Sequence, residues 1–329
     1  MESLALDLLR RRAATGRHTP HNDGASLALC IEGGSMRGVV SAGMVTALER
    51  LGWLHCFDAV YGSSAGAMNG AYFLAGQAAY GTTIYYEDIN NSKFIDVLRP
   101  LRGRAIVDLD FLVETVMTEQ KPLDTARIIA SPVPLIVMAT NVSTGRQEAF
   151  RNFQSGPDLL HALRAGATMP VVAGEPYTYR ARLYLDALLT EPIPVPIAEL
   201  EGHSHLIVLL TRPEGESPRE PTLVDRLMVG RHLRKISPDL ERLFYTRRDS
   251  YLSIQRAISG GTGPAGKAKV AAIRPIGPEL GQRERRREWL VAGANRGLEA
   301  VLRAVDRLSP NTIGLLSALS GSTHPLPTP

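Results

Sequence analysis

The sequence predicts an α/β fold built on parallel strands, and two observations carry that prediction. Twice in succession a short apolar run enters a glycine-rich turn and leaves as a helix: LALCI, EGGSMRG and residues 39–51, then AVY, GSSAG and the stretch through Leu74. Farther on, VPLIVMATN at 133–141 and HLIVLL at 205–210 are too continuously apolar for half-exposed strands and read as central strands buried on both faces. At 329 residues, with 44% hydrophobic and 21% charged, one large soluble-type domain with an appendage is expected.

Taken in order, residues 1–24 read as an N-terminal arm and Leu27 to Ile31 as the first strand. Val40, Met44, Val45 and Leu48 then recur at helical spacing. Ala59 to Tyr61 form the second strand, followed by a small-residue helix through Met68, Ala71, Tyr72 and Leu74. The mixed stretch 82–128, helical around FLVETVM at 111–117 and basic at LRPLRGR, reads as a cap or surface insertion. HALRAGATMP at 161–170 reads as a helix ending before Pro170, and RLYLDALLTEPIPV at 182–195 as a short strand and a loop. Three prolines among residues 213–221 mark a linker, and 222–259 follow as charged amphipathic helices. KVAAIRPI at 269–276 is strand-like, 282–308 is a basic helical stretch, and 311–329 is expected to be a disordered tail.

Composition excludes several function classes. Two cysteines, Cys30 and Cys56, cannot staple a chain of this size and lack metal-ligand spacing, so no disulfide framework and no structural zinc are expected. MESLALDLLRRRAATG sets Asp7 and Arg10 to Arg12 where a signal peptide needs an apolar stretch, and no segment reaches the roughly 18 apolar residues of a membrane span. A cytoplasmic protein, at most peripheral to a membrane, is the expectation. The formal charge of +4 allows contact with anionic surfaces and falls short of a nucleic-acid footprint.

The glycine turns carry the chemistry. GSSAG has the G-x-S-x-G spacing of a nucleophile elbow, in which Gly62 and Gly66 let a strand turn sharply into a helix and hold Ser64 exposed at the helix start. EGGSMRG can converge backbone N–H groups into an anion-binding nest with Arg37 beside it. It lacks the G-K-[ST] ending of a phosphate loop and the G-x-G-x-x-G of a dinucleotide turn, so an oxyanion suits it better. A serine nucleophile needs a base, and an α/β-hydrolase would place a late histidine near it. Of the later histidines, His203 and His205 open a strand, His232 sits in a charged helix and His324 in the tail, and His161 has no better placement. Each reads as a surface or capping residue.

Glu32 to Gly38, Gly62 to Gly66 and Asp186 after a short apolar strand together resemble the three ordered motifs of the patatin-like phospholipases, over residues 27 to about 212. The resemblance implies a three-layer α/β/α patatin-like fold with a mainly parallel sheet and a core over 25–212, and residues 213–310, beyond it, read from their own pattern as a mainly helical C-terminal region. It implies a Ser-Asp dyad without histidine, with Ser64 as nucleophile and Asp186 as base. Backbone amides at Gly33, Gly34 and Ser35 would form the oxyanion hole, with Arg37 and Gly38 supporting it. The activity implied is hydrolysis of a lipid acyl ester through an acyl-enzyme, with no metal or organic cofactor.

Two positions depart from the family pattern. Ser35 stands where a third glycine is usual; a serine keeps the N–H, so the hole survives if the backbone there avoids positive φ. Ala187 stands where Asp-Gly is usual; if that position were left-handed, alanine would cost on the order of 1 kcal/mol and misplace the carboxylate. A patatin-like shell that binds without turnover, and a thioesterase or acyltransferase with the same dyad, therefore stay open beside the hydrolase. Met68, Tyr72 and Phe73 are candidates for an acyl channel, with core packing as the alternative for each. Arg99, Arg102 and Arg104, Arg247 and Arg248, and Arg283 with Arg285 to Arg287 are the basic clusters that would meet an anionic bilayer.

Overall fold

In the computed structural model, which describes residues 3–16 and 19–305, the apolar runs become the centre of one eight-stranded sheet. The chain runs α1 (Leu4–Thr15), β1 (Leu27–Ile31), α2 (Val39–Arg50), β2 (Ala59–Ser63), α3 (Ala65–Leu74), α4 (Ala78–Glu87), α5 (Thr125–Ile129), β3 (Leu135–Asn141) and β4 (Gln147–Phe150). It continues through α6 (Gly156–Gly166), β5 (Tyr177–Tyr179), β6 (Arg182–Asp186), α7 (Val195–Leu200) and β7 (His205–Leu209). The last elements are α8 (Leu223–Asp225), α9 (Arg231–Ile236), α10 (Pro238–Ser259), β8 (Lys269–Ile273) and α11 (Arg287–Ala304).

Strand order is β5-β6-β3-β2-β1-β7-β8, with β4 also paired to β3. The five strands from β3 to β8 on this path pair in parallel, and β4, β5 and β6 add antiparallel pairs. Because strand side chains alternate, Leu27, Leu29 and Ile31 fall on one face and Ala28 and Cys30 on the other, and all five are buried. One face packs on α1, α2, α3 and α11, the other on α7 and α10. Those are the three layers of an α/β/α fold.

Three regions differ from the sequence reading. The stretch expected as an arm holds α1, whose Ala5, Leu8, Leu9 and Arg12 form a buried stripe at helical spacing. Its fourth member is a charge, which hides the stripe from hydrophobic patterning. The stretch 82–128, read as a cap or surface insertion, is not a surface insertion, since it buries Ile89, Phe94, Leu109 and Leu112 in the main core. The C-terminal region adds β8 to the sheet beside β7 and lays α11 against α2. The expected tail over 311–329, His324 included, lies outside the described residues. No helix among the described residues is long and apolar enough to cross a membrane.

Candidate active site

Strand pairing brings the two halves of the site together. Consecutive β3 residues, Met138 and Ala139, take Ser63 of β2 and Asp186 of β6 as partners, so the ends of β2 and β6 meet above one point of the sheet. There Ser64 Oγ donates to Asp186 Oδ2 at 2.7 Å. Ser64 sits at φ 54°, ψ −127° between β2 and α3, a left-handed backbone that a serine holds only where its surroundings fix it. The glycines behind it allow the turn. A Cβ on Gly66 would lie 2.3 Å from the Ile31 carbonyl oxygen, and one on Gly62 would lie 2.3 Å from the Ala67 Cα.

Asp186 is buried and held from every side. Its Oδ1 accepts from the Leu188 N–H at 2.8 Å, its own N–H donates to the Thr168 carbonyl, and its carbonyl accepts from Thr140 Oγ1. Burial raises its carboxyl to about 6, against the lowering effect of the bonds from Leu188 and Ser64. Ala187 opens a short 3₁₀ turn and stays outside the left-handed region, so no glycine is needed there. The concern raised by the missing Asp-Gly therefore has no counterpart in the backbone.

Gly33, Gly34, Ser35 and Arg37 line the same cavity as Ser64 and Asp186. Among the described residues the Gly33 and Gly34 amides donate to no protein acceptor. Ser35 has positive φ, 54°, so the condition set for it in the sequence is not met; the strain is on the order of 1 kcal/mol, and the residue still carries its N–H on the cavity wall. Gly38 is off the cavity wall. It lies at the start of α2 against Ala65 and Tyr85, and its carbonyl accepts from Asn69 Nδ2 and Ser41 Oγ, so its support reaches the elbow through packing.

Arg37 braces the nest from below, and its surroundings were not legible in the motif. Its guanidinium lies against the Gly34 backbone, its Nε donates to Thr211 Oγ1 at 3.0 Å, and it pairs with Glu279 at 3.0 Å. Burial, with Arg212 close by, pulls its pKa below the ordinary guanidinium value. Glu32 accepts from the Thr211 N–H and hydroxyl and pairs with Arg212 at 3.1 Å, while Arg212 also pairs with Glu279. The Met36 N–H donates to the Gln282 carbonyl. Thus residues 211–212 and 279–282, far from the nest in sequence, hold its shape. No spacing signal links them.

The cavity has a volume of about 790 Å³, within the range of small-molecule sites. Its inner wall is apolar, formed by Met68, Tyr72, Ile84, Phe94, Leu112 and Met117 among others. Phe73 instead packs edge-on against Phe57 in the core. Of the later histidines, His203 bonds Ser26 and Tyr61 and His205 bonds Ser204, both at the opposite, entering ends of the central strands. His161 bonds Tyr177. His232 differs from its reading as a surface residue, since it is half-buried on the cavity wall with Nε2 3.4 Å from Glu175. Among the described residues no group of three or more His, Cys, Asp or Glu side chains converges on a common point to hold a metal ion.

The family model described as patatin-like phospholipase matches residues 29–199. The uncharacterized protein YjjU of Escherichia coli (strain K12) is 29% identical over 255 residues, covering 77% of this chain and 69% of YjjU. A solved structure, VipD from Legionella pneumophila, aligns over 86% of this chain and 67% of that one at 13% identity, with a TM-score of 0.40.

Proposed function

The chain belongs to the patatin-like phospholipase family, and from that premise we propose that it hydrolyses lipid acyl esters through a Ser64–Asp186 dyad and an acyl-enzyme intermediate. The observation that carries this reading is the 2.7 Å bond from Ser64 Oγ to a buried Asp186, at one end of an apolar cavity. An aspartate at its ordinary pKa near 3.9 is a poor acceptor for a serine proton. Raised to about 6, Asp186 is still ionised at neutral pH and is a stronger base.

Ser64 Oγ attacks the ester carbonyl carbon as its proton passes to Asp186 Oδ2. The carbonyl oxygen takes up the negative charge and is met by the Gly33 and Gly34 amides, with Ser35 beside them and the N-terminus of α3 adding its dipole. The tetrahedral centre collapses, the alcohol or lysolipid leaves with the proton from Asp186, and the acyl group stays on Ser64. Water then gives its proton to Asp186, attacks the acyl-enzyme and releases the fatty acid, and Ser64 recovers its proton. The acyl chain lies against Met68, Tyr72 and the apolar wall beyond them.

Activity is expected to follow the ionised base. On a soluble short-chain ester, kcat/KM should rise with pH through about 6 and level off above it, because protonated Asp186 cannot accept the serine proton. A profile flat from about pH 5 to 8 would contradict the assignment. Product analysis on phospholipid, thioester and neutral-ester panels tests the reaction class. Fatty acid released from a phospholipid supports the reading, whereas turnover confined to thioesters moves the same dyad to a thioesterase.

A further inference from the structure

We propose that two apolar rims beside the cavity form a docking surface for an anionic lipid bilayer, which would bring acyl chains directly to the site. Among the described residues thirteen large hydrophobic side chains are exposed, and seven of them crowd into two short segments. Val97, Leu98 and Leu101 precede the cavity-wall residues from Gly103 to Val107. Leu223, Val224, Leu227 and Met228 share one outward face of the helical stretch 223–230. Val224 and Met228 also line the cavity, so the second rim is continuous with it.

That helical stretch is apolar on both sides. Val229, with Leu233 of the following α9, turns inward on Leu185, Leu189 and Phe244, while Leu223 and Leu227 are 77% and 66% exposed. Apolar exposure concentrated in this way marks a surface meant to be covered. Charge decides what covers it. The exposed guanidiniums of Arg102, Arg104, Arg219 and Arg226 flank the two rims. Of the nearby acids, Asp108 pairs with Arg99 and Arg104 and Glu220 with Arg248, while Asp96 and Asp225 accept from the Leu98 N–H and from Thr222 and keep their charge, so Arg102, Arg219 and Arg226 supply the rims' positive charge. Apolar side chains ringed by arginine suit lipid tails beneath anionic headgroups. A second copy of the chain would set arginines of one rim against those of the other.

The basic clusters read from the sequence contribute less than their composition suggests. Arg99 is buried on the carbonyls of Ser92 and Lys93, Arg247 covers the Phe244 ring, and Arg286 is bound to Glu284. Arg102 and Arg104 flank the first rim, Arg285 donates to the Ile95 carbonyl just before it, and Arg283 lines the cavity.

The inference rests on reading the cavity as an acyl-ester site, and its test separates the two. Full-length Ser64→Ala protein is cosedimented with vesicles of phosphatidylcholine alone and of phosphatidylcholine with phosphatidylglycerol. Binding to the anionic vesicles is expected, weakened by added salt and cut at least about tenfold when Leu101→Glu and Leu227→Glu are added. On the wild-type background the same two substitutions should preserve turnover of a soluble short-chain ester and remove hydrolysis of vesicle phospholipid. Absence of vesicle binding, or binding unchanged by the two substitutions, would overturn the proposal. So would self-association that the substitutions abolish, which would give the surface to a second copy. If the wild type binds vesicles but turns over no ester, the catalytic reading fails and the docking surface stands.

Discussion

Asp186→Asn is expected to lower kcat on a soluble ester by at least about a hundredfold with little change in KM, the scale of a lost general base. Asparagine can keep the acceptor toward the Leu188 N–H, so the turn after β6 survives, but it cannot take the Ser64 proton. The same substitution should raise stability at neutral pH. The folded carboxyl sits near 6 against an ordinary 3.8, so the folded state holds the proton more tightly, and stability falls as pH rises between about 4 and 6. Asparagine removes that loss, a gain of about 3 kcal/mol at pH 8 that vanishes near pH 4. His203→Ala and His205→Ala, remote from the cavity, should leave turnover largely intact. A dead His232→Ala beside a near-normal Asp186→Asn would move the base to the cavity-wall histidine.

Arg12→Met is expected to destabilise the protein by about 3 kcal/mol, the cost of breaking a buried ion pair. The side chain is 2% exposed, and its five N–H groups go to both oxygens of Asp23, to Asp58, and to the Cys56 and Ala25 carbonyls. Asp58 in turn accepts from the Leu27 N–H, so Arg12 ties α1 to the entering ends of β1 and β2. Methionine fills the stem but takes the guanidinium from all of these acceptors, leaving Asp58 with the Leu27 N–H and Asp23 with the Ala25 N–H. Urea unfolding measures the difference. A loss below about 0.5 kcal/mol would mean that residues 1–24 are a loose arm after all.

What the sequence made legible was local. The elbow and the nest are short runs whose glycines are required by contacts within a few residues or across one strand pair, and their spacing survives in the linear text. The buried strands were legible because both faces of β1, β3 and β7 are covered, which leaves uninterrupted apolar runs. Asp186 came from family resemblance, since one aspartate after a three-residue apolar stretch has no distinctive pattern. The short β4 and β5 carried no strand signal, being four and three residues long. Glu279, Gln282 and Arg212 stayed hidden because they reach Arg37 and Glu32 across the fold, and long-range ion pairs leave no periodicity. The cavity rims were illegible for a related reason, as exposure is a property of the folded surface.

The most direct test of the dyad is covalent labelling of Ser64 by a fluorophosphonate, located by peptide mass spectrometry at pH 8 and again at pH 5. The reading predicts one adduct, on Ser64, forming faster at pH 8, absent from Ser64→Ala and slowed at least about a hundredfold in Asp186→Asn. Folded protein that carries no adduct on Ser64, or that labels equally fast with Asp186→Asn, would contradict it.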